Sequence, residues 1–101
     1  MSFFEKIYKI AAKIPRGKVA TYGQLAKMAG SPRAARAVGM CMKHNPDMEI
    51  VPCHRVVGSD GKLTGYSAGN GIATKKKILL KEGVAFKGDR VNISRSGWKG
   101  R

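Results

Sequence analysis

The short run Pro52-Cys53-His54-Arg55-Val56 sets a thiol directly before an imidazole, behind a rigid proline. A cysteine attacks through its thiolate, and a free thiol with a pKa of about 8.5 is only a few per cent ionised near neutral pH. A nucleophilic Cys53 would therefore need help to ionise. His54 is the nearest base, and a histidine in that role usually needs a third group to hold its tautomer.

The third group has to come from a small set of acids. Side chains of adjacent residues point in different directions on a helix or a strand, so His54 would accept the Cys53 proton through a bridging water or across a bent backbone. Glu82, near the end of the last predicted helix, is the best candidate to orient His54. The six acids of the chain are Glu5, Asp47, Glu49, Asp60, Glu82 and Asp89.

Three other interpretations of these residues compete with catalysis. A cysteine beside a histidine is more often a buried small hydrophobe and a satisfied imidazole. Zinc binding by Cys41, His44, Cys53 and His54 fits the ligand types, but two of these ligands are adjacent and would splay apart, so no metal is expected. The two cysteines of the chain are expected to be free thiols rather than a disulfide, with Cys41 packed in the core.

The charge of the chain points to a polyanionic partner. Its 101 residues are enough for one domain with a modest core, and 43% of them are hydrophobic. Twenty Lys and Arg against six Asp and Glu give a formal net charge of +14 that is spread along the chain. A folded basic surface of this kind is better explained by a nucleic-acid partner than by a need for solubility alone. No apolar run approaches the ~18 residues of a membrane span and no signal peptide is recognisable. We therefore expect a protein that avoids membranes and lies in the cytoplasm, associated with the nucleoid, or in the nucleus if the source is a eukaryote.

The elements that would position Cys53 begin with helices. Apolar spacing predicts a helix over residues 3–13, and a second helix from an N-cap at Thr21 through residue 29. Gly30-Ser31 then breaks the chain before a third helix over residues 32–42, capped by Ser31 and rich in small residues. This pattern is typical of a helix-turn-helix, although a generic helical hairpin fits it equally well.

The second half of the chain predicts a wing and a closing helix. Residues 56–63 indicate a β-hairpin with its turn at Asp60-Gly61, followed by a glycine-rich loop. A last helix from a cap at Thr74 to Glu82 would be closed by Gly83. We therefore predict a mainly α fold, a single winged helix-turn-helix domain over residues 1–88, and a polar, basic, mobile tail over residues 89–101.

Residues 50–57, Ile-Val-Pro-Cys-His-Arg-Val-Val, closely resemble the active-site signature of the O6-alkylguanine-DNA alkyltransferases. The resemblance covers roughly residues 4–84, in order and at near-family spacing. Further matching blocks are residues 14–26 before the helix-turn-helix, residues 34–39 of the third helix, Asn45-Pro46, the pattern of residues 61–66, and residues 77–83.

The resemblance implies a protein that flips a damaged guanine out of duplex DNA and transfers its O6-alkyl group irreversibly to a cysteine, without a cofactor. Cys53 then resembles the alkyl acceptor, His54 its water-bridged base, and Glu82 the carboxylate that orients the imidazole. Asn45 resembles the residue that braces the active-site turn. Tyr22 resembles the tyrosine near the flipped base, where it would donate a proton to the leaving guanine.

The same resemblance implies a set of contacts to DNA through the minor groove. Arg36 resembles the arginine that fills the gap left by the flipped base. Tyr66 resembles a wall of the base pocket and Ser67 a donor near guanine O6, while the backbone carbonyls of Cys53 and Val56 would bind the guanine amino group. Small residues on the third helix would permit close approach to the groove: Ala34, Ala35, Ala37 and Gly39.

Two departures from the family keep a second function open. The chain starts at the DNA-binding domain, as do the alkyltransferase-like proteins, which usually have another residue in place of Cys53 and flag alkylated guanine for excision-repair proteins. The loop between Tyr66 and Glu82 is also about two residues longer than in many members.

A third alternative is a winged-helix regulator that uses Cys53 as a redox sensor. For the alkyltransferase itself we expect a monomer whose partner is double-stranded DNA containing O6-alkylguanine.

Overall fold

The amphipathic sequence at the N-terminus forms helix α1, Phe3–Ala11, in the computed structural model, which describes residues 2–44, 50–63 and 71–100. Ser2 caps this helix, because its hydroxyl accepts a hydrogen bond from the backbone amide of Glu5 at 3.2 Å. Ile7 and Ala11 lie one turn apart on the same face, and both are fully buried. The helix is therefore fixed by a cap at its start and by an apolar stripe against the core.

A short strand and a helix with the predicted N-cap follow. Strand β1, Ala20–Thr21, runs directly into helix α2, Tyr22–Met28. The Thr21 hydroxyl accepts a hydrogen bond from the backbone amide of Gln24 at 3.0 Å, which confirms the predicted N-cap. Gly30, with a φ of 85°, then turns the chain in a left-handed conformation that a side chain would disfavour.

Helix α3, Ala35–Lys43, begins three residues later than predicted. The amide of Ala34 donates to the carbonyl of Ser31 at 2.9 Å, so the proline and arginine between them lie in a turn. Ala34 occupies the cap position without a side-chain hydrogen bond, and the predicted cap by Ser31 is wrong for this reason. Helices α2 and α3 pack against each other, and both contact α1.

The strand at the start of the predicted hairpin, residues 56–63, does form, but it pairs with β1 and not with the other half of the hairpin. Strand β2, Val56–Val57, pairs in parallel with β1, in the register Ala20 to Val56 and Thr21 to Val57. Both valines of β2 are fully buried, which suits a strand covered on two faces better than the solvated strand of a wing. The chain does turn after β2, where the amide of Gly58 donates to the carbonyl of Lys62 at 2.9 Å.

The C-terminal segment folds onto the domain, so the prediction of a mobile tail from residue 89 is wrong. After helix α4, Ile72–Lys81, the chain forms an antiparallel hairpin of β3, Phe86–Lys87, and β4, Arg90–Val91, followed by helix α5, Ile93–Ser96. Trp98 is only 7% exposed. Its amide donates to the carbonyl of Val19 at 2.7 Å. The few buried apolar residues of this segment are separated by polar residues in the sequence, so no apolar pattern predicts that it packs.

Two apolar clusters form the core, and strand β2 joins them. Val56 belongs to the cluster under α1, α2 and α3, whereas Val57 belongs to a second cluster that includes Leu79 and Val91. Successive side chains of a strand point to opposite faces, so one two-residue strand can serve both clusters. Cys53 also belongs to the first cluster. The described part of the chain is thus mainly helical, with five α-helices and two small sheets.

No helix within the described residues is both long enough and apolar enough to span a bilayer.

Candidate active site

Cys53 lies at the start of a single 3-10 turn, Cys53–Arg55, immediately before β2. The amide of Cys53 donates to the carbonyl of Val51 at 2.8 Å, and the amide of Arg55 donates to that of Pro52 at 2.9 Å. The tight turn continues into a strand that is pinned to β1 and buried on both faces. Cys53 is 5% exposed and packs with the first core cluster, so its position is fixed from two sides.

His54 faces Glu82, which caps the C-terminus of α4. Nε2 of His54 lies 3.2 and 3.1 Å from the two carboxylate oxygens of Glu82. The two side chains are only 13% and 10% exposed, respectively. The pair expected from the sequence is therefore adjacent in space. Because Nε2 faces the carboxylate, Nδ1 is the ring nitrogen left to accept a proton.

Arg55 is a further member of this cluster that the sequence analysis missed. Its Nε and Nη2 atoms donate to the two carboxylate oxygens of Glu82 at 2.9 and 2.6 Å. Its Nη1 donates to the backbone carbonyl of Ile14 at 2.9 Å. This fork holds the carboxylate in one orientation and ties it to the chain before β1. The sequence does show an arginine within the motif, but its contribution to the net positive charge gives no hint that it binds Glu82.

The electrostatics of the cluster favour a neutral imidazole beside an ionised carboxylate. Burial lowers the pKa of His54, and the nearby charges of Arg55 and Lys75 act in the same direction, while the contacts with Glu82 oppose them. Burial alone would raise the pKa of Glu82, but hydrogen bonds from Arg55 and His54 outweigh it and the pKa is lowered. A neutral His54 is able to accept a proton, and Glu82 would stabilise the charge that results.

Lys75 is the second functional candidate that the sequence did not single out. It lies on α4 with 1% of its surface exposed, and its Nζ donates to the carbonyl of Val56 at 2.6 Å. Burial lowers the pKa of Lys75 to about 8, while a negative charge on Cys53 acts in the opposite direction. The sequence shows only a run of three lysines, and nothing in it tells which one is buried.

The remaining predicted residues fall into three groups. Tyr22, the first residue of α2, is half-buried against the first core cluster, and Arg36 is exposed on α3. The small residues at the start and middle of α3 are half-buried, and a Cβ built on Gly39 would meet only open space. Three predicted site residues lie outside the described part of the chain: Asn45, Tyr66 and Ser67.

A metal or disulfide interpretation of the cysteines has no geometric support within the described residues. There, no group of three His, Cys, Asp or Glu side chains is arranged to hold a metal ion. Cys41 and Cys53 are both free and buried. The Cys41 thiol points toward the carbonyl of Phe4, at 3.7 Å, and burial raises its pKa. Cys41 is therefore packed in the core, with its thiol directed at the backbone of α1.

Comparison with known proteins finds relatives of two kinds. The methylated-DNA–protein-cysteine methyltransferase of Mycobacterium tuberculosis H37Rv is 49% identical over 77 residues, which are 76% of this chain and 46% of that protein. The DNA base-flipping protein of Escherichia coli K12 is 41% identical over 98 residues, 96% of this chain and 74% of that protein. The chain spans about half the length of the first curated relatives that it matches.

Structural comparison agrees with these relatives. The crystal structure of Schizosaccharomyces pombe Atl1 in complex with damaged DNA containing O6-carboxymethylguanine superposes with a TM-score of 0.83 at 36% identity, over 96% of this chain and 94% of that one. The family model described as the DNA-binding domain of 6-O-methylguanine DNA methyltransferase matches residues 2–84. The match includes the 3-10 turn with Cys53 and reaches Glu82, and the chain belongs to this family.

Proposed function

We propose that this chain repairs O6-alkylguanine in DNA by transferring the alkyl group to Cys53. The observation that carries the proposal is the arrangement of the 3-10 turn, in which the residue after a buried thiol is held by Glu82 and, through it, by Arg55. A merely satisfied core histidine would not need a carboxylate that is itself fixed by a bidentate arginine. The names of the relatives supply the substrate class.

The reaction follows from the groups at the site. The thiol proton passes to His54 through a bridging water, and Glu82 stabilises the imidazolium. The thiolate of Cys53 attacks the alkyl carbon, so that a carbon–sulfur bond forms while the carbon–O6 bond breaks. The electron pair of the broken bond goes to the guanine, which takes a proton from the Tyr22 hydroxyl, and solvent restores that proton. The product is a stable thioether, so each chain acts once.

Presentation of the base would fall to α2 and α3, acting as a helix-turn-helix in the minor groove. A glycine inside a helix costs about 0.5–1 kcal/mol relative to alanine, and no packing contact within the described residues requires Gly39 to be small. Close approach of a groove would require it. Exposed Arg36 would enter the base stack, and the net charge of +14 would supply phosphate contacts and a steep dependence on salt.

The carbonyl of Val56, proposed to bind the guanine amino group, already accepts a hydrogen bond from Lys75. A carbonyl oxygen has two lone pairs, so both contacts can coexist. Asn45, Tyr66 and Ser67 keep their proposed roles beside the base: a brace for the turn, a pocket wall and a donor to O6.

A second candidate function is favoured by the extent of the structural match. The chain aligns with nearly the whole of S. pombe Atl1, whose structure contains O6-carboxymethylguanine in DNA. A protein of that kind would bind the lesion without removing the alkyl group and would present it to excision-repair proteins. The thiol at position 53 favours transfer over sensing, because a pure sensor has no need of it.

The test uses a duplex that contains one O6-methylguanine and follows both the DNA base and the protein. Native chain should restore guanine, at one event per chain. Cys41→Ala is the matched control, since it removes the other buried thiol and should leave the reaction intact. Cys53→Ala should keep binding and lose transfer. Tight binding by the native chain with the lesion unchanged would refute transfer and favour the sensor.

A further inference from the structure

Residues 95–100 are built into the domain beside β1, although they come after the part of the chain that the family model matches, residues 2–84. The amide of Val19 donates to the carbonyl of Ser96 at 2.9 Å, and the amide of Trp98 donates to the carbonyl of Val19 at 2.7 Å. These two bonds form a parallel β-bridge immediately before β1. The end of the chain therefore has a fixed place next to the start of α2.

Helix α2 holds the same segment along one of its faces. Nε2 of Gln24, in the first turn of α2, donates to the carbonyl of Trp98 at 2.8 Å. Farther along the helix, a Cβ built on Gly100 would lie 3.4 Å from the terminal methyl group of Met28. Gln24 and Met28 are four residues apart and share a face of α2, so the chain from Trp98 to Gly100 follows that face. Lys99 is thereby placed beside α2, and it is exposed.

The positive charges at the end of this segment are not neutralised by acids of the described chain. In the preceding hairpin, Arg90 is paired with Asp60. Arg95 and Lys99 are exposed, and the Nζ of Lys18, also exposed, adds a third positive charge where it donates to the carbonyl of Arg95 at 3.2 Å. Among the described residues, none of these three cations forms an ion pair. A group of exposed cations without acidic partners is suited to a polyanion.

We infer that residues 95–100 are a second DNA-binding element, in which Lys99 contacts a backbone phosphate beside the first turn of α2. In a helix-turn-helix, the helix before the recognition helix crosses the DNA backbone, and α2 has that position in the motif proposed above. A cation fixed along the exposed edge of such a helix can reach a phosphate oxygen. The inference rests on the proposed function for the identity of its partner, duplex DNA, but not on the transfer of an alkyl group.

A phosphate contact has a measurable signature in the dependence of affinity on salt. Each contact to duplex DNA releases counterions and contributes about 0.9 to the slope of log affinity against log salt concentration. Replacement of Lys99 by glutamine should therefore reduce the magnitude of that slope by about 0.9. The same loss corresponds to an affinity that is about eightfold lower at about 0.1 M salt, and the difference should vanish toward about 1 M.

The experiment measures the affinity of the native chain, Lys99→Gln and Lys87→Gln for a short undamaged duplex, by fluorescence anisotropy over a range of salt concentrations. Lys87→Gln is the matched control, because it removes the same charge from an exposed position of β3 in the same C-terminal segment. We expect a reduced slope for Lys99→Gln and the native slope for Lys87→Gln. Equal slopes for the two variants would overturn the inference. A lower affinity of Lys99→Gln at the native slope would also overturn it, because that result indicates a purely structural role.

Lysine footprinting tests the same contact without a substitution. Acetylation of the native chain by acetic anhydride, followed by peptide mass analysis, should slow at Lys99 when the duplex is bound and continue at an unchanged rate at Lys87. Equal protection of both lysines, or of neither, would refute a specific contact at Lys99. Neither readout involves an alkylated base, so a chain that transfers no alkyl group can still confirm the inference, whereas a native chain that binds no duplex would overturn it together with the proposed function.

Discussion

The buried ammonium of Lys75 should make the stability of this protein rise with pH, and Lys75→Met should abolish that rise. The ordinary pKa of lysine, 10.5, falls to about 8 in the folded chain. The folded state therefore binds fewer protons than the unfolded state between these values, and stability increases as the pH rises through that window. The full shift corresponds to about 3 kcal/mol, and the part recovered between pH 7 and pH 9.5 is about 2 kcal/mol.

Urea unfolding gives the free energy at each pH, and the fluorescence of the single tryptophan, Trp98, reports it from the core. Both chains should carry Cys53→Ala, so that this thiol does not titrate. A negative charge on Cys53 raises the pKa of Lys75, so its removal can only enlarge the change. The free energy of unfolding of the Lys75 chain should rise relative to Lys75→Met by at least about 2 kcal/mol from pH 7 to pH 9.5.

Lys76→Met is the control for the effects of all other titrating groups. Its free energy of unfolding should depend on pH in the same way as that of the Lys75 chain. If the stabilities of the Lys75 chain and of Lys75→Met remain parallel across the range, Lys75 is not buried as a charge. The electrostatic account of the site would then be wrong.

Three further substitutions, the first with a matched control, test other parts of the account. Gly61→Ala should lower the free energy of unfolding in urea by about 2–4 kcal/mol, because the added Cβ would collide with the carbonyl oxygen of Val91. The control is Gly30→Ala, which has the same φ of 85° but open space around it and should cost only about 1 kcal/mol. Trp98→Ala should cost about 3–5 kcal/mol, which a mobile C-terminal tail would not show. Gly39→Ala should stabilise the free protein by about 0.5–1 kcal/mol and weaken its binding to duplex DNA in a fluorescence-anisotropy titration; unchanged affinity would argue against minor-groove contact at this helix.

Local signals in the sequence were sufficient to predict the elements whose ends are marked by a capping residue or a glycine. The cap at Thr21 and the helices around Gly30 follow from side-chain hydrogen bonds and backbone freedom that act within a few residues. The pairing of His54 with Glu82 was also accessible, because the chain offers few acids and only one at the end of a helix near a matching motif. These features depend on residue type and short spacing.

The features that the sequence did not yield depend on distant parts of the chain. Strand β2 pairs with β1 over a separation of 36 residues in the register Ala20 to Val56, and no local pattern encodes that partner. The burial of Lys75, rather than Lys76, depends on how α4 is turned toward the 3-10 turn. The packing of Trp98 likewise depends on residues far away in the chain, such as Val19, whose carbonyl accepts a hydrogen bond from the Trp98 amide.

The central claim is that Cys53 accepts an alkyl group from DNA, and peptide mass mapping tests it most directly. After incubation with a duplex containing O6-methylguanine, the account predicts one methyl group per chain, located on the peptide that carries Cys53, with the Cys41 peptide unmodified. Unmodified Cys53 in a chain that has bound the lesion, or a methyl group on any other residue, would contradict it.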